Sequence, residues 1–247
     1  MRDANYSIER GAEWLDQAIT RRAAPTVEAG QPPAHNRMGV RPGGSDLALP
    51  DGEAALALLE REMTPISYLC DPWIPEGLHL IASRPKLGKS TLLRQELAAV
   101  AGGTELFGVH CRQATTAYLS LEEGDRLARR KFEIAGFSDE ALASILVHFN
   151  WRRGAEGIDD LRRMHDRNAN IRYIGIDSLT RFRSVPDSRT PAFAADYEAV
   201  SALHAVTKER PGLAIRLIHH TRKAKSDDPI DDISGTYGVS AAVDSYW

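Results

Sequence analysis

The chain has 247 residues, 43% of them hydrophobic and 26% charged, with a net charge of −3. That length suits one sizeable domain with a tail, and the charge excludes the bulk basic field of many nucleic-acid binders while leaving room for local basic loops. Two cysteines, Cys70 and Cys111, have no metal-ligand spacing and form no disulfide framework. No apolar run approaches the roughly 20 residues that span a bilayer, and the N-terminus lacks the apolar stretch of a signal peptide. The expected place is the cytoplasm, with no membrane contact.

In chain order, residues 8–21 have helical spacing, with Ile8, Trp14, Leu15 and Ile19 as an apolar stripe. Residues 23–50 are rich in Pro, Gly and Ala, including Pro32-Pro33 and Gly43-Gly44, which reads as a flexible linker. Residues 1–54 are therefore expected to be a largely disordered arm, and 55–247 the folded domain. Asp51 suits the N-cap of a helix over 52–63. Beyond it, strands at 78–83, 115–121, 146–151, 171–176 and 213–218 alternate with helices at 89–101, 125–135, 158–167 and 191–209, where Pro191 suits a first turn. This alternation predicts an α/β fold of three layers around a mostly parallel sheet.

The first strand runs into Ser83-Arg84-Pro85-Lys86-Leu87-Gly88-Lys89-Ser90-Thr91, and a helix follows. A strand, a loop ending Gly-Lys-Ser and a helix form a P-loop, whose backbone N–H groups cradle phosphates. Gly88 lets the backbone approach the phosphates. Lys89 supplies a positive charge to the β- and γ-phosphates, Ser90 a hydroxyl to magnesium, and Thr91 a contact near the α-phosphate. Ser83 stands where the usual pattern has its first glycine. The expected ligands are ATP and Mg²⁺.

Magnesium also needs an acidic group at a neighbouring strand end. Asp177, closing Tyr173-Ile174-Gly175-Ile176-Asp177-Ser178, is the candidate, the competing role being a helix N-cap for the Asp-Ser pair. Hydrolysis needs a group to orient or deprotonate water. Glu122, first past the strand Tyr118-Leu119-Ser120-Leu121, is chosen ahead of Glu123, which suits a first helical turn. The last strand ends in His219-His220-Thr221-Arg222-Lys223. His220 is the candidate sensor of the γ-phosphate. A zinc site is a poor alternative, because adjacent strand residues point to opposite faces.

The order of these motifs, from Glu76-Gly77-Leu78 through the P-loop, Glu122, Asp177 and His220 to Ile233-Ser234-Gly235, resembles the RecA-like ATPases of the RepA kind, the plasmid-type hexameric replicative helicases, over about residues 65–247. The resemblance implies a RecA-like sheet, a catalytic trio of Lys89, Glu122 and His220, and magnesium held by Ser90 and Asp177. It also implies ring-shaped homo-oligomers with ATP at subunit interfaces and single-stranded DNA in the channel. Two loops would face that DNA, one carrying Arg181, Arg183 and Arg189, the other Arg222, Lys223 and Lys225, where Asp227, Asp228, Asp231 and Asp232 oppose a phosphate backbone. Family members continue with further strands, so the resemblance also implies a chain truncated at its C-terminus. The expected activity is that of a DNA-linked ATPase, with an ATP-dependent regulatory switch as the alternative.

Overall fold

The computed structural model describes residues 55–187, 191–220, 239 and 242–247. The chain divides into two compact units, residues 1–61 and 62–247. In the first, the described part is a short helix, α1 (Ala55–Glu60). It ends at Glu60, three residues before the end at Met63 read from the sequence. The predicted helix over 8–21, the linker over 23–50 and the cap at Asp51 lie outside the described residues.

The second unit opens with a small antiparallel ribbon, β1 (Tyr68–Cys70) with β2 (Ile74–Pro75). A second ribbon pairs β4 (Glu105–Leu106) with β5 (Val109–His110). The main sheet comprises β3 (Gly77–Ser83), β6 (Thr115–Ser120), β7 (Ile145–His148), β8 (Ile171–Asp177), β9 (Ala214–His220) and β10 (Ser245–Tyr246). Its order is β10-β3-β9-β8-β6-β7, and every neighbouring pair is parallel. All six strands therefore deliver their carboxyl ends to one edge, the usual place for a ligand in such sheets. The strand that carries the P-loop is not beside the strand that carries Asp177, because β9 lies between them.

Helices cover both faces, giving the expected three-layer α/β fold. They are α2 (Lys89–Gly102), α3 (Asp125–Ala135), α4 (Asp139–Ala143), α5 (Gly154–Arg167), α6 (Leu179–Phe182) and α7 (Ala192–Glu209). One core packs Ile158 and Leu161 of α5 and Val200, Leu203 and Val206 of α7 against Leu119, Ile174, Ile176, Ile215 and Leu217. The other packs Leu93 and Leu97 of α2 and Ala141 of α4 against Tyr118, Tyr173, Ala214 and Ile218. Successive strand residues alternate between these cores, as the two-residue period requires.

The differences from the sequence reading lie in short or polar pieces. Both ribbons, α4, α6 and β10 carry too few residues to show a period. The helix expected over 158–167 starts at Gly154, because Gly154-Ala155-Glu156-Gly157 reads as loop by composition yet forms its first turn. The strand expected over 146–151 is shifted to Ile145–His148. Pro191 occupies the N-cap of α7 rather than its first turn.

Gly175 of β8 faces Leu93 of α2, and a Cβ there would lie 2.8 Å from one Leu93 methyl and 3.0 Å from the other. Helix α2 thus sits flush on the strand that carries Asp177. Gly175→Ala is expected to destabilise the chain by about 1–3 kcal/mol through overpacking. In a Leu93→Ala background the same substitution should cost clearly less, because the clashing methyls are gone. Urea unfolding of the four variants measures the difference; equal costs in both backgrounds would show that Leu93 does not set the packing distance.

Candidate nucleotide site

The phosphate loop joins β3 to α2 across exposed residues Arg84, Pro85, Lys86, Leu87 and Gly88. Gly88 is the N-cap of α2 with φ 89° and ψ 5°, a left-handed conformation. A Cβ at Gly88 would meet nothing within 4 Å, so the demand for glycine is one of backbone angle rather than of space. Lys86 shares the left-handed region at φ 67°, whereas Ser83 is not among the residues of positive φ. That explains why the first glycine of the pattern can be a serine: an ordinary backbone angle leaves room for a side chain.

Lys89 is only 7% exposed. Its ammonium donates to the Ser83 carbonyl at 2.7 Å, the Arg84 carbonyl at 2.9 Å and the Ser83 hydroxyl at 3.2 Å. Burial pushes its pKa down, opposed by the charges of Asp177 and Glu122. Asp177, at the end of β8, is 3% exposed. Burial raises its pKa and the Glu122 charge adds to the rise, against hydrogen bonds from Ser90 and Tyr118. The register pairs Ser83 with His220 and Ser120 with Asp177. Lys89, Ser90, Asp177 and the ends of β6 and β9 therefore meet at one edge of the sheet. Thr91 is exposed on the first turn of α2.

The two choices left open by the sequence differ sharply in geometry. Glu123 is held by Arg94 of α2 at 2.7 Å and by Lys131 of α3, with its side chain 9% exposed. Glu122 instead accepts a hydrogen bond from Ser178 on one carboxylate oxygen and lies 3.5 Å from His220 Nε2 with the other. Its side chain remains 36% exposed. His219 is 2% exposed and faces α7, where it acts on Asp196. The period of two along β9 places His220 on the face shared with Ile218, toward α2.

Sequence reasoning missed Tyr118, Arg94 and Ser178. Tyr118 donates to Asp177 at 3.2 Å and accepts from Arg94 at 3.2 Å. Tyr118 and Asp177 lie on neighbouring strands, so only the register brings them together. Arg183, counted among the candidate DNA contacts, faces inward: it is 8% exposed and pairs with Asp196 at 2.5 Å. Arg181 is exposed at the end of α6. Arg189, Arg222, Lys223 and Lys225 lie outside the described residues.

The raised pKa of Asp177 has a consequence for stability. A carboxylate whose native pKa lies above its unfolded value destabilises the fold once ionised, so stability falls as pH rises through the window above 3.8. Asp177→Asn removes that cost. In chelator without nucleotide, the variant is expected to melt above the wild type at pH 7. The gap should shrink as pH falls toward the carboxylate range, where the wild-type group is protonated too. A wild type that melts above the variant at pH 7 would show that Ser90 and Tyr118 outweigh burial.

The AAA domain family model matches residues 46–226. Among solved structures, a KaiC-like protein from the hyperthermophilic archaeon Pyrococcus horikoshii OT3 is similar at 19% identity, over 68% of this chain and 76% of that one, with a TM-score of 0.47. No curated protein matches the chain. No helix among the described residues is long and apolar enough to cross a membrane. The family match spans well over half of the chain and contains both the phosphate loop and Asp177, so the chain belongs to the AAA domain family of P-loop ATPases.

Proposed function

We propose that the chain binds ATP with Mg²⁺ at residues 83–91 and hydrolyses it. The observation that carries this reading is the buried Lys89, its ammonium folded onto the phosphate-loop carbonyls, at the same sheet edge as the buried Asp177, whose ionised form Ser90 favours. A hydroxyl and a carboxylate are hard oxygen donors, the set that suits Mg²⁺. The ion, when bound, neutralises charge that develops on the phosphates. Lys89 would exchange two carbonyl acceptors and the Ser83 hydroxyl for phosphate oxygens, and the first N–H groups of α2 point toward the same anion. In this reading Glu122 orients or deprotonates the attacking water. His220, 3.5 Å from Glu122 and opposite Ser83, is in this reading the sensor of the γ-phosphate.

Lys89→Ala is expected to abolish tight ATP binding, read by titration with a fluorescent nucleotide. Glu122→Gln is expected to retain binding but lower turnover about 10²–10⁴-fold, the range of a general base. Glu123→Gln should leave turnover far closer to wild type, because Glu123 is engaged by Arg94 and Lys131. Equal losses from the two substitutions would sink the assignment of Glu122.

The finer reading is a DNA-linked ATPase related to hexameric replicative helicases, working as a ring of identical chains. It rests on the motif order and on basic residues after Asp177 and His220. Arg181, Arg222 and Lys223 remain the proposed contacts with single-stranded DNA, while Arg183 drops out because it is spent on Asp196. Single-stranded DNA is expected to stimulate ATP hydrolysis, and Arg222→Ala with Lys223→Ala to remove the stimulation while sparing the basal rate. The stimulation should weaken with added salt, as phosphate contacts do. ATP-dependent oligomer size without DNA stimulation would favour the regulatory switch instead.

A further inference from the structure

Ser178 follows Asp177 and occupies the N-cap position of α6, yet its side chain makes no capping hydrogen bond. The first turn is served by its carbonyl, which accepts from the Arg181 and Phe182 N–H groups at 3.0 and 3.1 Å. The hydroxyl is turned the other way and donates to Glu122 Oε1. Ser178 is fully buried, so the donor end of this bond is fixed by the surrounding packing, while the Glu122 carboxylate it holds is part-exposed.

Backbone pairing sets the approach. Ser120 stands opposite Asp177, and the Leu121 N–H donates to the Asp177 carbonyl at 2.8 Å. The tips of β6 and β8 are thereby zipped one residue beyond the last strand pair. Ser178 and Glu122 emerge from that zipped junction, the first buried and the second half-open. With Oε1 pinned from β8, Oε2 is left facing His220 Nε2. A long, rotatable glutamate is thus held by one oxygen while the other makes a long, part-exposed contact with His220 at 3.5 Å.

We propose that Ser178 is a positioning residue for Glu122, fixing the carboxylate so that its second oxygen is presented to the attacking water of ATP hydrolysis. The proposal rests on Glu122 acting in that reaction. Ser178 itself touches neither nucleotide nor water in this role. It removes rotational freedom from the glutamate, and its loss lowers turnover rather than binding.

The test is a double-mutant cycle on ATP hydrolysis by the full chain, with nucleotide affinity measured beside it. Ser178→Ala is expected to lower kcat about 10–100-fold, the effect typical of an orienting partner. Its affinity for a fluorescent ATP analogue should stay at the wild-type value, which also reports a folded site. In the Glu122→Gln background, single-turnover rates should show no further loss from Ser178→Ala. Three results would overturn the assignment. One is a wild-type kcat for Ser178→Ala beside a crippled Glu122→Gln. The second is a joint loss of affinity and kcat that repeats in full in the Glu122→Gln background, which makes Ser178 a support of Asp177 or of the fold. The third is a rate that Glu122→Gln leaves unchanged, which removes the ATPase role of Glu122 together with this inference.

Discussion

The contact of Leu93 with the bare Cα of Gly175 sets the distance between helix α2 and strand β8, and the site is built on that distance. Residues of α2 then reach across to β6, β8 and β9 in turn. Ser90 meets Asp177, Arg94 meets Tyr118 and Glu123, and Glu96 meets Tyr173 and Arg216. A β-branched or larger residue at Gly175 would lift the helix and stretch all three links at once. Close packing transmits such a shift because the interior has no slack to absorb it.

The same helix separates two kinds of buried charge. Arg94 with Glu123, and Arg216 with Glu96, are compensated pairs joined by direct ion contacts. Breaking one partner of such a pair leaves a charge stranded, which is far costlier than the pair itself is valuable. Lys89 and Asp177 differ. No carboxylate lies within ion-pair distance of Lys89 among the described residues, and its partners are carbonyls and a hydroxyl. Burial drives both groups toward their neutral forms. A polyphosphate beside Lys89 and a divalent cation beside Asp177 would each restore the missing counter-charge. Perturbed groups of opposite sign at one strand edge are what a functional site looks like physically.

Much of the architecture was readable from local pattern. Residues 125–135 show a helical stripe in sequence and form a helix with those bounds. The apolar runs at 78–83, 171–176 and 213–218 became buried central strands: β3 begins one residue earlier, β8 ends one later, and β9 is shifted to Ala214–His220. The strand at 145–148 is an edge strand with two half-buried residues, and its weaker signal let the reading drift along the chain. Short ribbons of two or three residues carry no periodicity at all, so β1, β2, β4, β5 and β10 surfaced only in the structure.

The sequence by itself determined the strand–loop–helix pattern around residues 83–91 and the parallel α/β class, and it singled out Lys89, Ser90 and Asp177 as candidates, because each follows from residues adjacent in the chain or from a period. Only the tertiary structure separates the surroundings of Glu122 from those of Glu123, and of His220 from those of His219. His219 and His220 point to opposite faces of β9, and Glu122 and Glu123 follow the end of β6 into a loop whose partners are set by the neighbouring strand tip and the helices packed beside it. Register also joined Tyr118 to Asp177, and the packing of α6 against α7 turned Arg183 inward to Asp196. Ser178 is the clearest case: in sequence it is a helix cap, and only the zipped tips of β6 and β8 show its hydroxyl given to Glu122.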